Sequence, residues 1–286
     1  MDFSELREFF DRDGFVIVRD FWSPEQIEHV QSAFKKIVAA FVEQAAAAHD
    51  VTATSLPSIG SSPCDGLMFL EDIDHSYVAQ VYDTFACCPD MFSLVGNPDL
   101  TQLVNRLHGD EPRAPLYTYT PRLRIDPPQD DRRTYGWHQE VFYTLPHSVP
   151  IQLWAPLFFP STAENGAIEV CPGSHARGIF PSTWEEPDGR ATQIIVKDDE
   201  IDKYDPLLCE LSVGDLVLFS GFLLHRSGSN TSSQIRYSMI CMYHRIRNLQ
   251  FRPASIGSGF GYHDVTPKDY FREVLGESSF VSPAAS

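Results

Sequence analysis

Two residues with metal-binding side chains, His138 and Glu140, lie two positions apart in the aromatic stretch YGWHQEVFY, which begins at residue 135. Side chains alternate along an extended strand, so this spacing predicts that both project from one face while Gln139 points away. A buried carboxylate without a partner is costly, and a divalent cation held between an imidazole and a carboxylate would offset that cost. The pair alone does not establish a metal site, because a His and a Glu at this spacing in a strand more often form a surface pair.

Two later residues extend this pattern. His225 ends the apolar run DLVLFSGFLLH, where a histidine is often a packed core residue, and Arg236 lies eleven positions further on. With His138 and Glu140, His225 completes the set of two imidazoles and one carboxylate that is typical of non-haem Fe(II) oxygenases. An arginine that enters an apolar strand is costly unless its planar guanidinium meets a carboxylate. The four positions together indicate a metal site with an anion-binding arginine.

The second half of the sequence predicts the strands that would hold these residues. Beyond about residue 115, short β-rich runs alternate with Pro and Gly, a pattern typical of an antiparallel sandwich, barrel or jelly roll. The runs are PLYTYTPRLRI, YGWHQEVFY, IQLWAPLFF, GAIEVCPGS, TQIIVK, DLVLFSG and IRYSMICMYHRI.

The first half predicts helices that cover a face of the sheet. Ser23, Pro24 and Gln26 form a capping-box signature ahead of apolar residues at three- and four-residue intervals, which predicts an amphipathic helix over 24–48. Further helical patterns across 76–108 are interrupted at CPDM and GNPDL.

The composition limits the partners of the protein. It has 22 Lys and Arg against 39 Asp and Glu, and the net charge of −17 disfavours nucleic acid and anionic membrane surfaces. No apolar run of about 18 residues occurs, and the amino terminus MDFSELREFF lacks a signal-peptide pattern, so we predict a cytoplasmic protein with no membrane partner. The six cysteines show no CxxC spacing and are predicted to be reduced thiols.

Several motifs make the sequence similar to one enzyme family. These are DGFVIVRDFWSPEQI, WHQE, NGAIEVCPGSH and GDLVLFSGFLLHRSGSN, with an arginine eleven residues after the histidine of the last motif. On these residues the sequence resembles the phytanoyl-CoA dioxygenase family of Fe(II)/2-oxoglutarate-dependent oxygenases over nearly its whole length. The resemblance implies a mainly β fold with flanking helices, in which a double-stranded β-helix of the jelly-roll or cupin-like type is covered by N-terminal helices.

We therefore expect residues 1–286 to form a single Fe(II)/2-oxoglutarate dioxygenase domain. Its parts would be a helix-rich N-terminal part (1–114), a jelly-roll core (115–250) and a C-terminal extension (251–286). Within the core, the acidic stretch 184–206 is either a lid over the site or an ordinary solvated loop.

The resemblance also implies the chemistry. His138, Glu140 and His225 would bind Fe(II), and the enzyme would use O2 and 2-oxoglutarate to hydroxylate a substrate C–H bond while releasing succinate and CO2. The family motif is usually HxD, whereas the carboxylate here is Glu140. Glutamate is one methylene longer, so it reaches iron only if the strand or its rotamer adjusts.

Four further residues would contact 2-oxoglutarate by the same resemblance. Arg236 would bind its distal carboxylate with the help of Ser227, and Trp154 on the strand after WHQE would line the cosubstrate site. Arg122, on the strand before WHQE, lies near a cosubstrate-contacting position of the family. Arg122 and Arg124 share one strand face, which is either solvated or turned into the barrel mouth to hold an anion.

Two other hypotheses remain open. The first is a non-catalytic jelly-roll binding protein whose metal site degenerated at Glu140, and the second is a cupin-type metal enzyme that needs no 2-oxoacid. The remaining histidines near the motifs, His147, His175 and His244, have no spaced partners and are predicted to be structural or exposed.

The substrate is predicted to be a small molecule with a single anionic or polar group rather than a CoA thioester. The net charge is −17, and the basic residues near the predicted site are Arg122, Arg124, Arg132 and Arg133. A polyphosphate would therefore meet little positive charge. The sequence indicates neither the oxidised position nor an oligomeric state.

Overall fold

A computed structural model describes residues 3–52, 55–60, 62–130, 134–186, 192–248, 251–253 and 266–280. Helices dominate the first part of the chain. Their bounds are α1 Phe3–Asp13, α2 Pro24–Ala48, α3 Cys64–Ile73, α4 His75–Ala86, α5 Pro89–Val95 and α6 Pro98–His108, and the strand β1 Phe15–Val18 lies between α1 and α2. Within the described ranges, no helix is long and apolar enough to cross a bilayer.

The long helix α2 begins and ends where the sequence predicts. Ser23 Oγ accepts a hydrogen bond from the Gln26 backbone N–H at 3.3 Å, and Gln26 Oε1 accepts one from the Ser23 N–H at 2.9 Å. The buried face of α2, which includes Val30 and Phe34, packs in one core with α3 to α6 and with strands of the largest sheet. The prediction that helices cover a face of the sheet is therefore confirmed.

Most of the regular elements in the rest of the described chain are strands. Their bounds are β2 Leu116–Asp126, β3 Ile151–Pro156, β4 Ile168–Val170, β5 Ser182–Glu185, β6 Gln193–Val196, β7 Leu207–Cys209, β8 Leu216–Ser220, β9 His225–Ser227 and β10 Arg236–Arg245. Two short helices, α7 Asp198–Ile201 and α8 Pro267–Leu275, accompany them.

Two antiparallel sheets form the core that holds the site. The larger has the strand order β1-β8-β3-β10-β2, and the smaller has the order β7-β4-β9. Their inner faces pack together, with Trp154 and Phe219 of the larger sheet in one apolar cluster with Ile168 and Cys209 of the smaller. This arrangement is the jelly roll, which confirms the predicted mainly β fold with N-terminal helices.

The stretch YGWHQEVFY is not the strand that its alternation predicts. Residues 135–143 are all described, and among them His138 forms an isolated bridge to His225, while Glu140–Phe142 form a 3-10 turn. The buried Gln139 amide explains the departure, because it makes three hydrogen bonds of 2.6–2.8 Å with backbone groups of two neighbouring loops. These bonds hold the chain where it leaves the strand.

The acidic stretch 184–206 contains regular structure. β5 and β6 pair as a hairpin that α7 follows, and residues 187–191 lie outside the described residues. The Tyr143 hydroxyl accepts a hydrogen bond from the Ile194 N–H at 2.7 Å, so the hairpin supports the chain beside the 3-10 turn. The described part of this stretch is a packed element rather than a long irregular loop.

The C-terminal helix α8 supports the same turn. Phe271 is fully buried, and its ring lies 5.0 Å from Phe142 and 5.2 Å from Trp184 between centroids. Since Phe142 belongs to the 3-10 turn that begins at Glu140, α8 helps to fix that turn. This helix was not predicted from the sequence, although Thr266 and Asp269 form a capping box at its start.

His244 of β10 is structural, as predicted. It is fully buried, and its two ring nitrogens hydrogen-bond with Thr144 Oγ1 at 2.9 Å and Ser148 Oγ at 2.7 Å. Burial, with repulsion from His108, lowers the pKa of His244 to about 3. The ring is therefore neutral in the folded protein and ties β10 to the segment that follows the 3-10 turn.

We expect His244 to make the stability of the metal-free protein sensitive to acid. In the unfolded chain this histidine binds a proton near pH 6.5, whereas in the folded chain it binds one only near pH 3. The stability that depends on the neutral His244 ring is therefore present above the unfolded pKa and is lost as pH falls below it. Between about pH 7.5 and about pH 5.5, wild type should lose about 1–1.5 kcal/mol more unfolding free energy than His244→Gln in urea titrations. The exposed control His75→Gln should behave as wild type, and equal losses in wild type and His244→Gln would contradict the prediction.

Candidate active site

The backbone places the two site histidines side by side. His138 and His225 form a bridge in which each backbone N–H donates to the carbonyl of the other at 3.1 Å. His225 begins β9 at one edge of the smaller sheet, so this bridge fastens the loop of His138 to that edge. The two imidazole rings lie 4.2 Å apart between centroids.

Glu140 reaches the histidines from the 3-10 turn. Its Oε2 lies 3.4 Å from His225 Nε2 and 3.9 Å from His138 Nε2. One ligand atom from each of the three residues can be chosen so that all lie within 4.8 Å of one another, and all three residues are buried. The sequence prediction that these side chains converge agrees with this geometry, although the carboxylate comes from a turn rather than from a strand.

Hydrogen bonds fix which nitrogen of each ring is available. His138 Nδ1 lies 2.7 Å from the Gly136 carbonyl, and His225 Nδ1 lies 3.0 Å from the Leu223 carbonyl. A carbonyl only accepts, so Nδ1 of each neutral ring carries the proton and Nε2 keeps its lone pair. Burial and the neighbouring His225 ring also hold the pKa of His138 well below its usual range, which favours the neutral, metal-binding form.

The surroundings of Glu140 suit a carboxylate that binds a cation. Its exposed fraction is 6%, and within the described ranges no lysine or arginine pairs with it. With the Gln152 amide oriented so that its nitrogen faces Glu140, that group donates to both carboxylate oxygens at 3.1 and 3.2 Å. Two imidazole lone pairs and one oriented carboxylate therefore fit a divalent metal such as Fe(II), which would compensate the buried charge.

A cavity of about 400 Å³ leads from this triad to the surface. Three residues predicted to contact 2-oxoglutarate line it, namely Trp154, Ser227 and Arg122. The alternation along β2 left Arg124 either solvated or turned into the barrel mouth, and in the structure this side chain lines the cavity as well. Arg132 and Arg133 lie outside the described residues.

Arg236 lies behind the cavity wall in this structure and is not among the residues that line it. Its exposed fraction is 4%, and its Nε and Nη2 donate to Asp126 Oδ2 at 3.3 and 3.0 Å. Its Nη1 donates to three backbone carbonyls, those of Asn165, Gly166 and Gly228. Burial and the nearby charge of Arg124 lower the pKa of Arg236.

Asp126 links Arg236 to the cavity. Its Oδ1 accepts a hydrogen bond from Arg124 Nη2 at 2.9 Å, while Arg124 Nη1 lies 3.4 Å from Ser227 Oγ. Burial opposes the ionised form of Asp126, but the two guanidiniums prevail and leave its pKa below the usual range. The Asp126 carboxylate thus binds both Arg236 and Arg124, and Arg124 places its positive charge in the cavity beside Ser227.

The backbone conformation and the close neighbours of residue 166 in this network require a glycine. Its φ of +81° lies in the left-handed region, and a Cβ there would overlap the Gly228 carbonyl and the Arg236 guanidinium. The motif NGAIEV therefore needs a glycine at this position so that Arg236 can reach the backbone carbonyls.

The other predicted features lie elsewhere. His147 and His175 are not among the cavity-lining residues, and Nε2 of His175 lies 3.2 Å from the Asp11 carbonyl. Tyr135 and Tyr143, which the sequence analysis did not single out, line the cavity and pack edge to face at 5.7 Å between centroids. In the sequence, the positions of these two tyrosines beside WHQE in an aromatic stretch could have indicated that they lie near the site.

Comparison with known proteins gives concordant results. The model of the family described as phytanoyl-CoA dioxygenase (PhyH) matches residues 10–238. Ectoine dioxygenase of Sphingopyxis alaskensis is 24% identical over 263 residues, which cover 86% of this chain and 77% of that protein. Peroxisomal phytanoyl-CoA dioxygenase of Bos taurus is 24% identical over 297 residues, which cover 96% and 82%.

The solved structures show the same fold. EctD from S. alaskensis with 2-oxoglutarate and 5-hydroxyectoine has a TM-score of 0.58 at 17% identity, and the match covers 89% of this chain and 80% of that one.

Proposed function

The chain belongs to the phytanoyl-CoA dioxygenase family of Fe(II)/2-oxoglutarate-dependent oxygenases, and from this premise we propose that it hydroxylates a small-molecule metabolite at an unactivated C–H bond. The observation that carries the proposal is the convergence of His138, Glu140 and His225 on one buried point at the floor of a cavity. Its cofactor is Fe(II), and its cosubstrates are 2-oxoglutarate and O2.

The overall reaction balances without a further reductant. 2-Oxoglutarate loses CO2 and becomes succinate, and this oxidation supplies two of the four electrons that O2 accepts. The substrate C–H bond supplies the other two. One oxygen atom of O2 enters succinate and the other enters the hydroxyl group of the product. Bound Fe(II) would supply the activation of O2 for this exchange.

The residues of this chain would hold and orient the reactants. His138 and His225 offer Nε2 because their Nδ1 protons are engaged by carbonyls, and Gln152 orients the carboxylate of Glu140. Trp154 adds an apolar surface to the inner wall of the cavity, which limits water near the metal site.

The positive side of the cavity would receive the distal carboxylate of 2-oxoglutarate. Ser227 and Arg124 line this side, and Arg236 lies behind them on Asp126. We retain Arg236 and Ser227 as the carboxylate-binding pair that the family motif implies, and we add Arg124 because it lies between Arg236 and the cavity. Trp154 is retained as a cosubstrate-site residue. Arg122, for which the same role was expected, is exposed and takes no part in the contacts of Ser227, Arg124 and Asp126, so we assign it to the substrate side of the cavity instead.

The cavity supports a small substrate. Its volume of about 400 Å³ falls in the range typical of small-molecule sites, and 2-oxoglutarate must share it. Clustered positive charge that could bind a polyphosphate is absent from the described lining, where Arg122 and Arg124 are the basic residues.

An anaerobic titration tests the proposal. Fe(II) added to the protein with 2-oxoglutarate should produce a weak visible charge-transfer band, and O2 with a substrate should then yield succinate. Metal binding without the band would favour a cupin-type enzyme that needs no 2-oxoacid. No metal binding would favour a non-catalytic binding protein, and either result would refute the proposed activity.

A further inference from the structure

Two oppositely charged side chains, Arg122 and Asp83, line the mouth of the cavity above the metal-binding triad. They come from different elements, since Arg122 lies on β2 and Asp83 lies on α4, which packs against β2. Both are exposed. The cavity therefore presents one positive and one negative group to a molecule that enters it.

Local geometry turns both side chains toward the cavity. Ala79, Tyr82 and Asp83 all line it, and their spacing of three and four residues places them on one face of α4. On β2, Arg122 and Arg124 alternate onto the same side of the strand. Arg124 lies deeper, beside Ser227, so Arg122 is the outer of the two positive groups.

Neither Arg122 nor Asp83 forms an ion pair or a hydrogen bond within the part of the chain that the structure describes. Several other arginines of this acidic chain are paired with carboxylates. Arg226 and Arg245, for example, each meet a carboxylate through two nitrogens, on Glu169 and Asp110. Exposed charges are ordinarily solvated, but here two of opposite sign face one cavity and do not meet each other.

We propose that the substrate is a small zwitterion whose anionic group binds Arg122 and whose cationic group binds Asp83. This inference rests on the proposed function, because the carbon skeleton between the two charges would carry the C–H bond presented to the metal. Tyr82 shares the helix face of Asp83, so its ring would add a cation–π contact to the cationic group.

The charge of the whole protein favours this class over a simple anion. With a net charge of −17 the chain repels anions at long range, whereas a zwitterion has no net charge to be repelled. A simple cation would be attracted but would leave Arg122 without a counterion in the complex. Only a molecule with both charges satisfies both side chains.

A panel of matched compounds tests the inference. For amino acids of increasing chain length, the free zwitterion is compared with its N-acetyl derivative, its methyl ester and its N-acetyl methyl ester, which are an anion, a cation and a neutral molecule. Binding is followed by thermal shift of the protein with Fe(II) and 2-oxoglutarate without O2, and turnover by succinate release with O2. The best zwitterion should bind at least about tenfold more tightly than its three derivatives, since each lost charge removes a charge-assisted hydrogen bond.

Two variants assign each charge to its partner. Asp83→Asn should bind the amino acid and its N-acetyl derivative almost equally, because the ammonium group has lost its carboxylate. Arg122→Gln should bind the amino acid and its methyl ester almost equally, because the carboxylate group has lost its guanidinium. Asp72→Asn and Arg113→Gln, which change exposed residues outside the cavity lining, should keep the wild-type preference.

The anaerobic charge-transfer band, recorded for every protein, separates the two levels of the proposal. If wild type shows the band but binds no zwitterion of the panel, or binds the derivatives equally well, the substrate class is wrong while the oxygenase assignment stands. Unchanged preferences in Asp83→Asn and Arg122→Gln would also overturn the inference. If the band itself is absent from wild type, both proposals fail.

Discussion

Replacement of Glu140 by alanine is expected to lower the affinity for Fe(II) by more than about 100-fold and to abolish substrate oxidation. Loss of an outer partner of a metal ligand commonly costs about 10–100-fold, and Glu140 would be a direct ligand. It is also the sole carboxylate of the buried triad. Two neutral imidazoles alone would leave the metal weakly held.

The metal-free fold should survive this change. Glu140 is buried, and within the described ranges it has no lysine or arginine partner, so its charge burdens the apoprotein. Glu140→Ala should therefore unfold in urea at a concentration no lower than wild type. The 3-10 turn remains anchored by Phe142 against Phe271 and by the hydrogen bonds of Gln139.

Two further variants separate charge from reach. Glu140→Gln keeps the shape and removes the charge, and it should lose most of the metal affinity. Glu140→Asp restores the usual family carboxylate and should retain appreciable activity, with some loss because the turn holds a longer side chain at 3.4 Å from His225 Nε2. Metal titration and succinate release are measured on all three.

Glu169→Ala is the matched control, since this carboxylate lies on β4 next to β9 but pairs with Arg226 instead of facing the triad. It should bind Fe(II) as wild type does. Wild-type iron affinity in Glu140→Ala would show that the carboxylate is not a ligand.

The structure shows why the sequence predicted the elements better than the turn at the site. The helix over 24–48 and the apolar runs of the larger sheet depend on caps and periodicity, which are local. The path of residues 139–142 depends on hydrogen bonds from Gln139 to residues about 40 and 80 positions away, which no local pattern contains. The alternation in YGWHQEVFY was therefore a misleading signal, although the two side chains do converge.

The contacts of Arg236 could not be fully predicted from the sequence either. Its spacing from His225 indicated the strand on which it lies, and the need for a carboxylate partner was predicted from its burial. The partner proved to be Asp126, which β2 brings into register with Arg236 across the pair with β10. Which of several arginines faces the cavity depends on side-chain packing against this pair, so Arg124 could not be distinguished from Arg122 by alternation.

The second large effect is expected in the arginine pair on Asp126. Arg124→Lys and Arg236→Lys should each raise the dissociation constant for 2-oxoglutarate by about 30-fold or more at saturating Fe(II), while iron affinity stays at the wild-type value. Loss of a desolvated charge pair with a ligand costs roughly 2–5 kcal/mol, or about 30- to 5000-fold. Lysine keeps the charge but cannot reproduce the two-pronged contact of a guanidinium, so its effect should fall at the lower end of this range.

Stability measurements distinguish how each arginine acts. Arg236 donates to Asp126 and to three backbone carbonyls, so Arg236→Lys should also lower the unfolding free energy of the protein without 2-oxoglutarate. Arg236→Ala should lower it further, because this variant leaves Asp126 and those carbonyls without their donor. Arg124 is more exposed, at 18%, and donates to the cavity residue Ser227, so Arg124→Lys should weaken 2-oxoglutarate binding with a smaller change in the unfolding free energy.

Arg226→Lys is the control, because Arg226 lies next to Ser227 in β9 but pairs outward with Glu169. If Arg236→Lys binds 2-oxoglutarate as tightly as wild type, Arg236 does not belong to the cosubstrate site. If Arg124→Lys binds it as tightly as wild type, Arg236 and Ser227 alone bind the distal carboxylate.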